Sequence, residues 1–356
     1  MSFDVSVIIP TYQRADFLNE ALRCVLAQTH APSEVIVIDD GSPDDAAAQV
    51  CARFGNRVRY HKTENGGQPV ARNTGVALSS APWLAFCDDD DLWQPHHLAE
   101  LARAVAASPS LAFAFSNFSV VRDGVWSTST KLDDAPREFW TFAKHEVADG
   151  VWVIDEPMVT PILCYQAIFP STIAVSRGLF EKVGGFDRRM SGIPAEDLEF
   201  LLRCVAQGPI GLVTQPTVGI RKHENNDSGS DLKQFIGEIC VLGYVLRHHD
   251  LDSSWRSAVI VEINRRIMTA LNAAFASGNM EFFRILMRMV AADDVSLKIR
   301  AKMVVASLPD TMSSALNHLL ARGGILASRP IPERLKDCFC ETAVYLTSRQ
   351  EKIRAL

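Results

Sequence analysis

Four consecutive aspartates, Asp88 to Asp91, follow directly on the apolar run Trp83 to Cys87. Carboxylates gathered at one turn repel one another unless a cation shares them, and their hard oxygens suit Mg²⁺, Mn²⁺ or Ca²⁺. The C-terminal end of a buried parallel strand is also where open α/β sheets bind ligands. The same run fits a solvated turn in which Asp91 caps a helix opening at Leu92. Asp39-Asp40-Gly41-Ser42 is a second acidic strand end. It either faces the same crevice or opens an ordinary turn in which Ser42 caps a helix.

Two further segments complete the set. Pro10-Thr11-Tyr12-Gln13-Arg14 sets a flat aromatic beside polar groups at a third strand end, where a base or a sugar can stack. Asn65-Gly66-Gly67-Gln68-Pro69 is a glycine turn leading into a helix that carries Arg72, a phosphate-binding arrangement. Taken without its neighbours, that glycine turn is equally a plain loop.

To bring these segments together, the chain needs parallel strands with helices between them. Val5 to Ile9 and Glu34 to Ile38 are short β-branched runs expected of strands buried on both faces. Between them Phe17, Leu18, Ala21, Leu22, Val25 and Leu26 recur at helical spacing. The unit repeats as strand Arg57 to His61, helix Val70 to Ser79 and strand Trp83 to Cys87. After Leu111 to Val121 the pattern becomes antiparallel and loop-rich, with a strand over Ile168 to Ser176 and a helix over Glu196 to Gln207 stopped by Gly208-Pro209. From Leu232 onward only helical patterns remain, and Asn225-Asn226-Asp227-Ser228-Gly229-Ser230 has the chemistry of a linker. The expected domains are therefore residues 1–230 and an all-helical 231–356.

Composition narrows the class. The 356 residues carry 36 Lys+Arg against 42 Asp+Glu, a net charge of −6, which argues against a nucleic-acid binder. Hydrophobic residues make up 47% of the chain, enough for a sizeable core. The acidity is uneven, because Trp255 to Leu356 holds 15 Lys+Arg and 9 Asp+Glu, a balance of +6 suited to an anionic acceptor or membrane surface. Eight scattered cysteines with no C-x-x-C pair read as buried thiols of a reducing, cytoplasmic compartment. No charge-free run is long enough to span a membrane.

Val7-Ile8-Ile9-Pro10-Thr11-Tyr12-Gln13-Arg14, Val37-Ile38-Asp39-Asp40-Gly41-Ser42, the Asn65 to Asn73 turn and Phe86 to Trp93 resemble, in order and spacing, the family 2 nucleotide-sugar glycosyltransferases of the GT-A fold. Val183-Gly184-Gly185-Phe186-Asp187, Ala195-Glu196-Asp197 and Arg221-Lys222-His223 extend the likeness over roughly the first two-thirds of the chain. The resemblance implies an α/β fold, a Rossmann-like mixed sheet flanked by helices and followed here by the helical domain.

It also implies roles. Pro10, Thr11 and Tyr12 would line a nucleoside pocket, Asp39 would hydrogen-bond the base, and Arg14, Asp40, Gly66, Arg72 and Glu196 would belong to the donor site. The family's D-x-D pattern falls on Asp88 and Asp90, with Asp90 the expected metal ligand; Asp89 stands where the family often has a small residue, and either Asp89 or Asp91 can also reach the cation or the sugar. His223 matches a histidine that in some relatives reaches the metal or diphosphate, and it equally fits a sheet-packing histidine. Asp197 corresponds to the general base, although the same position suits a helix N-cap. The implied reaction is an inverting transfer, dependent on Mn²⁺ or Mg²⁺, from a nucleoside-diphosphate sugar, a UDP-sugar as the leading expectation, to a glycan or lipid-linked acceptor in surface polysaccharide synthesis. A non-catalytic nucleotide-sugar-binding module is the rival. The helical domain is expected to serve acceptor, peripheral membrane or homodimer contacts.

Overall fold

The computed structural model describes residues 3–223, 231–290, 297–307 and 331–354. Contacts divide the chain into two compact units, one of residues 1–191 with 197–224 and one of residues 192–196 with 225–356. The linker expected over Asn225 to Ser230 lies outside the described residues.

The first unit is built on one mixed sheet. Its parallel half comprises β1 (Val5–Thr11), β2 (Glu34–Asp39), β3 (Arg59–Lys62) and β4 (Trp83–Phe86), connected through α1 (Ala15–Leu26), α2 (Ala46–Ala52) and α3 (Gln68–Leu78). The β-branched runs of β1 and β2 are buried almost throughout, as strands covered on both faces must be. In register, Thr11 stands opposite Asp39 and Ile8 opposite Phe86. The acidic and aromatic motifs therefore emerge side by side from the same edge of the sheet.

The remaining strands are β5 (Leu92–Trp93), β6 (Phe113–Arg122), β7 (Val125–Thr130), β8 (Lys144–Ala148), β9 (Val151–Ile154), β10 (Ile173–Ser176) and β11 (Ile210–Arg221). The sheet runs in the order β3-β2-β1-β4-β10-β6-β11-β9-β8, with β5 on β11 and β7 on β6. Here α4 (His97–Ala107), α5 (Val159–Cys164), α6 (Arg177–Val183) and α7 (Glu196–Val205) fill the connections. The 168–176 segment is shorter in strand than its apolar pattern suggests: Pro170–Thr172 forms a 3-10 turn before β10 begins. That turn brings Ser171 under the aspartate run.

Close approach of α3 to the sheet depends on Gly75, since a Cβ there would lie 2.4 Å from Ile8 Cγ2. Gly75→Ala is expected to lower stability by about 1–3 kcal/mol through overpacking, outweighing the ~1 kcal/mol that alanine gains in helix propensity. A thermal melt reads the effect, and an unchanged or raised Tm would show that α3 does not rest this tightly on β1.

The second unit is helical: α8 (Asp231–His248), α9 (Ser253–Ala276), α10 (Met280–Arg288), α11 (Leu297–Ala306) and α12 (Glu333–Arg354). On α10 the residues Met280, Phe282, Phe283 and Leu286 are buried, so its apolar stripe faces a packed core. Arg284 donates to the Ala306 carbonyl at 3.0 Å. Among the described residues, no helix is long and apolar enough to cross a membrane.

Candidate functional site

The loop after β1 is locked to the loop after β2. Gln13 has φ = 54°, a left-handed conformation that costs a non-glycine residue about 1–2 kcal/mol. Its backbone N–H donates to Ser42 Oγ at 2.9 Å. Tyr12 is left 44% exposed on this rim, a ring open to stacking. Ser42 does not cap a helix: its N–H donates to Asp39 Oδ1 at 2.8 Å, closing the turn, and α2 starts only at Ala46.

The resemblance gives Asp39 to the base. In the structure Asp39 has no exposed surface, and its second oxygen accepts from the Tyr60 hydroxyl at 2.7 Å. Burial, then the neighbouring Asp39 carboxylate, pushes the Tyr60 phenol upward in pKa. Asp39 thus holds the strand end and turn in shape. Asp40 does the same for the glycine turn, accepting from the N–H groups of Gly66 at 2.8 Å and Gly67 at 2.9 Å. Burial raises the Asp40 pKa against the pull of those two amides. Gly67, at φ = 84°, then starts α3.

The four aspartates fold into a compact turn. Ser171 Oγ accepts from the Asp88 N–H at 2.9 Å and donates to Asp91 Oδ2 at 2.6 Å, tying the first aspartate to the last. Asp91 Oδ1 accepts from the Arg221 N–H at 3.1 Å. Asp91 is therefore no helix cap; Leu92 enters the short strand β5 and the helix starts at His97. Thr11 donates to Asp89 Oδ2 at 2.7 Å, and Arg14 reaches both Asp89 at 3.4 Å and Asp90 at 3.2 Å. The fully buried Arg72 donates to Asp88 Oδ1 and to Gln68 Oε1, each at 2.7 Å, with its guanidinium over the Phe186 ring.

His223 Nε2 lies 3.0 Å from Asp90 Oδ2. The imidazole packs at a tilt against Phe17, centroids 4.6 Å apart, while the Arg221 guanidinium covers the same ring at 4.8 Å. Arg221 also reaches Glu20 Oε2 at 2.6 Å and the Asp90 carbonyl at 2.9 Å. Pro10, Thr11, Arg14, Arg72, Asp88 to Asp91 and His223 thus form one contiguous cluster at the ends of β1, β4 and β11. Phe17 and Ser171 complete it. Neither stands in a motif: Phe17 looks like any core residue of an amphipathic helix, and Ser171 is 80 residues from its carboxylate partner.

Burial dominates the electrostatics. The Asp89 carboxyl is pushed up to about 7, by burial first and by Asp90 second, against the pull of Arg14 and Thr11. Burial followed by the charges of Asp90 and Asp88 raises Asp91 as well, more than the Ser171 and Arg221 donors lower it. Burial and mutual charge thus favour the neutral forms of Asp89 and Asp91, a bias that added positive charge would relieve. Asp90 and His223 supply the donors for it, a hard oxygen and an imidazole nitrogen converging at 3.0 Å, a pair that suits Mn²⁺. Among the described residues no group of three or more His, Cys, Asp or Glu side chains converges on one point, so Asp90 and His223 are a pair of donors rather than a complete cation shell.

Asp197 and Glu196 open α7; Asp197 is 7% exposed and Glu196 half-buried. Ala195, immediately before them, has φ = 62°, a strained conformation for alanine. The loop Gly184-Gly185-Phe186-Asp187 is clamped beside α3, with Asn73 donating to the Phe186 carbonyl at 2.7 Å and accepting from its N–H at 2.9 Å.

Residues 6–158, which contain the clustered motifs after β1, β2 and β4, match the model of glycosyl transferase family 2. Over that stretch the chain matches the family 2 glycosyl transferases. Over 254 residues it is 29% identical to the succinoglycan biosynthesis protein ExoW of Rhizobium meliloti, covering 65% of this chain and 74% of that protein. Uncharacterized glycosyltransferases of Rickettsia and Nostoc are 36–43% identical over shorter stretches, and this chain spans only 15–33% of their length. The fold is similar to that of S. aureus TarS residues 1–349, solved with UDP-GlcNAc, at a TM-score of 0.57 and 15% identity, covering 98% of this chain and 92% of that one. It is also similar, at a TM-score of 0.51 and 19% identity over 90% of this chain and 88% of the other, to the Pyrobaculum calidifontis mannosyltransferase PcManGT, solved with GDP-Man and Mn²⁺. Both likenesses fit the GT-A sheet described above.

Proposed function

We propose that the protein is an inverting glycosyltransferase that moves a sugar from a nucleoside-diphosphate sugar, a UDP-sugar first, to a hydroxyl of a glycan or lipid-linked acceptor in polysaccharide synthesis. The observation that carries this reading is the single cluster of Asp88 to Asp91 with Thr11, Arg14, Arg72 and His223, beside an exposed Tyr12. Pro10, Thr11 and Tyr12 line the nucleoside, with Asp39 and Asp40 holding the loops on either side. Arg14 and Arg72 carry positive charge to the diphosphate, and Gly66 and Glu196 border the donor. Asp90 and His223 would hold Mn²⁺ or Mg²⁺. When bound, that ion supplies Lewis-acid neutralisation of the leaving diphosphate.

Asp197 takes the proton of the acceptor hydroxyl as that oxygen attacks the anomeric carbon from the face opposite the diphosphate. For the helical unit we propose acceptor, peripheral membrane or self-association contacts, supported by its basic balance and by Val261, Val304 and Val344, each more than 60% exposed.

A thermal-shift panel of UDP, GDP, dTDP and their sugars, with and without Mn²⁺, tests the reading. One nucleotide at 100 times its Kd is expected to stabilise the protein by about 2.7 kcal/mol, more strongly with the cation than without. No stabilisation by any of them would remove the donor site, whereas stabilisation without donor hydrolysis or transfer to any acceptor would favour a binding module.

A further inference from the structure

The segment from the 3-10 turn Arg137–Trp140 to β9 carries an aromatic cup that the transfer chemistry leaves unused. Trp140 ends the turn, Phe142 follows it, Lys144 opens β8 and Trp152 lies on β9. Lys144 pairs with Ile154 and Glu146 with Trp152, so Lys144 and Trp152 share one face of this edge hairpin. The Lys144 ammonium sits 5.0 Å from the Trp140 ring centroid, 5.1 Å from that of Trp152 and 5.2 Å from that of Phe142. Phe142 is buried, and both tryptophans are half-buried with surface to spare. Three rings around one ammonium fix a cation that is otherwise among the most mobile of side-chain charges.

Among the described residues, Lys144 makes no ion pair with a carboxylate. Its charge is positioned by aromatic faces on a sheet edge, with the Glu146 carboxylate on the same face but not paired to it. Indole faces are apolar, while a fixed ammonium offers charge-assisted hydrogen bonds to an anion. A ligand that satisfies both has a flat C–H face and a carboxylate, which describes an acidic sugar. A lipid surface is a poorer match, because anionic membranes are held by clusters of basic residues and the β8–β9 hairpin carries one lysine. The cup lies on β9 and β8, with β9 four strands from β4 in the sheet order, roughly 19 Å at about 4.8 Å per strand. A glycan chain several sugars long reaches both places, whereas a monosaccharide does not.

We infer that Trp140, Trp152 and Lys144 form a remote acceptor subsite for a carboxylate-bearing saccharide, with the sugar stacked on indole and its carboxylate on Lys144. The inference rests on the transferase reading above. Calorimetry of the full chain with trigalacturonate and with maltotriose tests it. Trigalacturonate is expected to bind at least tenfold more tightly, to lose that margin in Lys144→Gln and to keep most of it in Lys144→Arg. Loss of one charge-assisted hydrogen bond weakens binding by about tenfold or more. Trp152→Ala is expected to weaken both sugars. Equal affinity of the wild-type protein for the two sugars, or undiminished binding by a folded Lys144→Gln, overturns the subsite. UDP stabilisation of the wild-type protein reports separately on the transferase reading: UDP binding without trigalacturonate binding sinks the subsite alone, and trigalacturonate binding with no nucleotide binding overturns its assignment to an acceptor.

Discussion

Asp197→Asn is expected to reduce sugar transfer by about two to four orders of magnitude, the span over which general-base catalysis acts. The substitution is nearly isosteric and keeps a hydrogen-bonding group at the start of α7, so Asp197 retains its 7% exposure and the helix its first turn. What it loses is the ability to accept a proton from the attacking hydroxyl. The two roles open to an aspartate at this position separate here. The structure makes Asp197 the second residue of α7 rather than its N-cap, so a purely structural Asp197 is a first-turn acid on the helix dipole, whose loss predicts a small change in Tm and unaltered turnover. A catalytic one predicts unaltered Tm, retained UDP stabilisation and a collapse of kcat with little movement in the donor KM. Initial rates with a radiolabelled donor decide between them, and wild-type turnover in the variant would end the assignment of Asp197 as the base.

In the parallel half of the sheet β1 and β2 were legible as short β-branched runs and β4 as a short apolar one, and each motif is contiguous. Asp39, Asp40 and Asp88 to Asp91 could be placed at strand ends from the sequence since nothing but the local pattern decides where those strands stop. What those carboxylates do was less visible. Asp40 has the look of a ligand-binding acid, yet it spends both oxygens on the Gly66 and Gly67 amides, partners 26 and 27 residues away. Asp91 has the look of a helix cap and instead takes Ser171, because β5 pairs with β11 and delays the helix to His97. The hairpin of β8 and β9 carried little signal: its alternation is broken by a register shift between Glu146 and Ala148, so no clean period of two survives. Long-range polar partners and irregular edge strands are what a linear pattern does not encode.

Asp90→Asn is expected to weaken Mn²⁺ binding by about a hundredfold or more, since losing even an outer partner of a metal ligand costs ten- to a hundredfold. The geometry picks Asp90 from the four. Asp88 is held by Arg72, Asp89 by Thr11 and Arg14, and Asp91 by Ser171 and the Arg221 amide. Asp90 alone among them meets a histidine, at 3.0 Å, and its other close partner is a 3.2 Å contact to Arg14. Asparagine keeps the shape but removes the charge, and it leaves His223 beside a neutral amide. Titration of free Mn²⁺ by electron paramagnetic resonance reads the loss without recourse to activity. Asp89→Asn provides the contrast: that position is pinned on both oxygens by Thr11 and Arg14, and its carboxyl is already pushed up to about 7. Its substitution is expected to change Mn²⁺ affinity by less than about tenfold, the low end of effects seen for groups outside the metal's own ligand set. If Asp89→Asn proves the more damaging of the two, the cation is held in the other register of the aspartate run, and Thr11 with Arg14 moves with it.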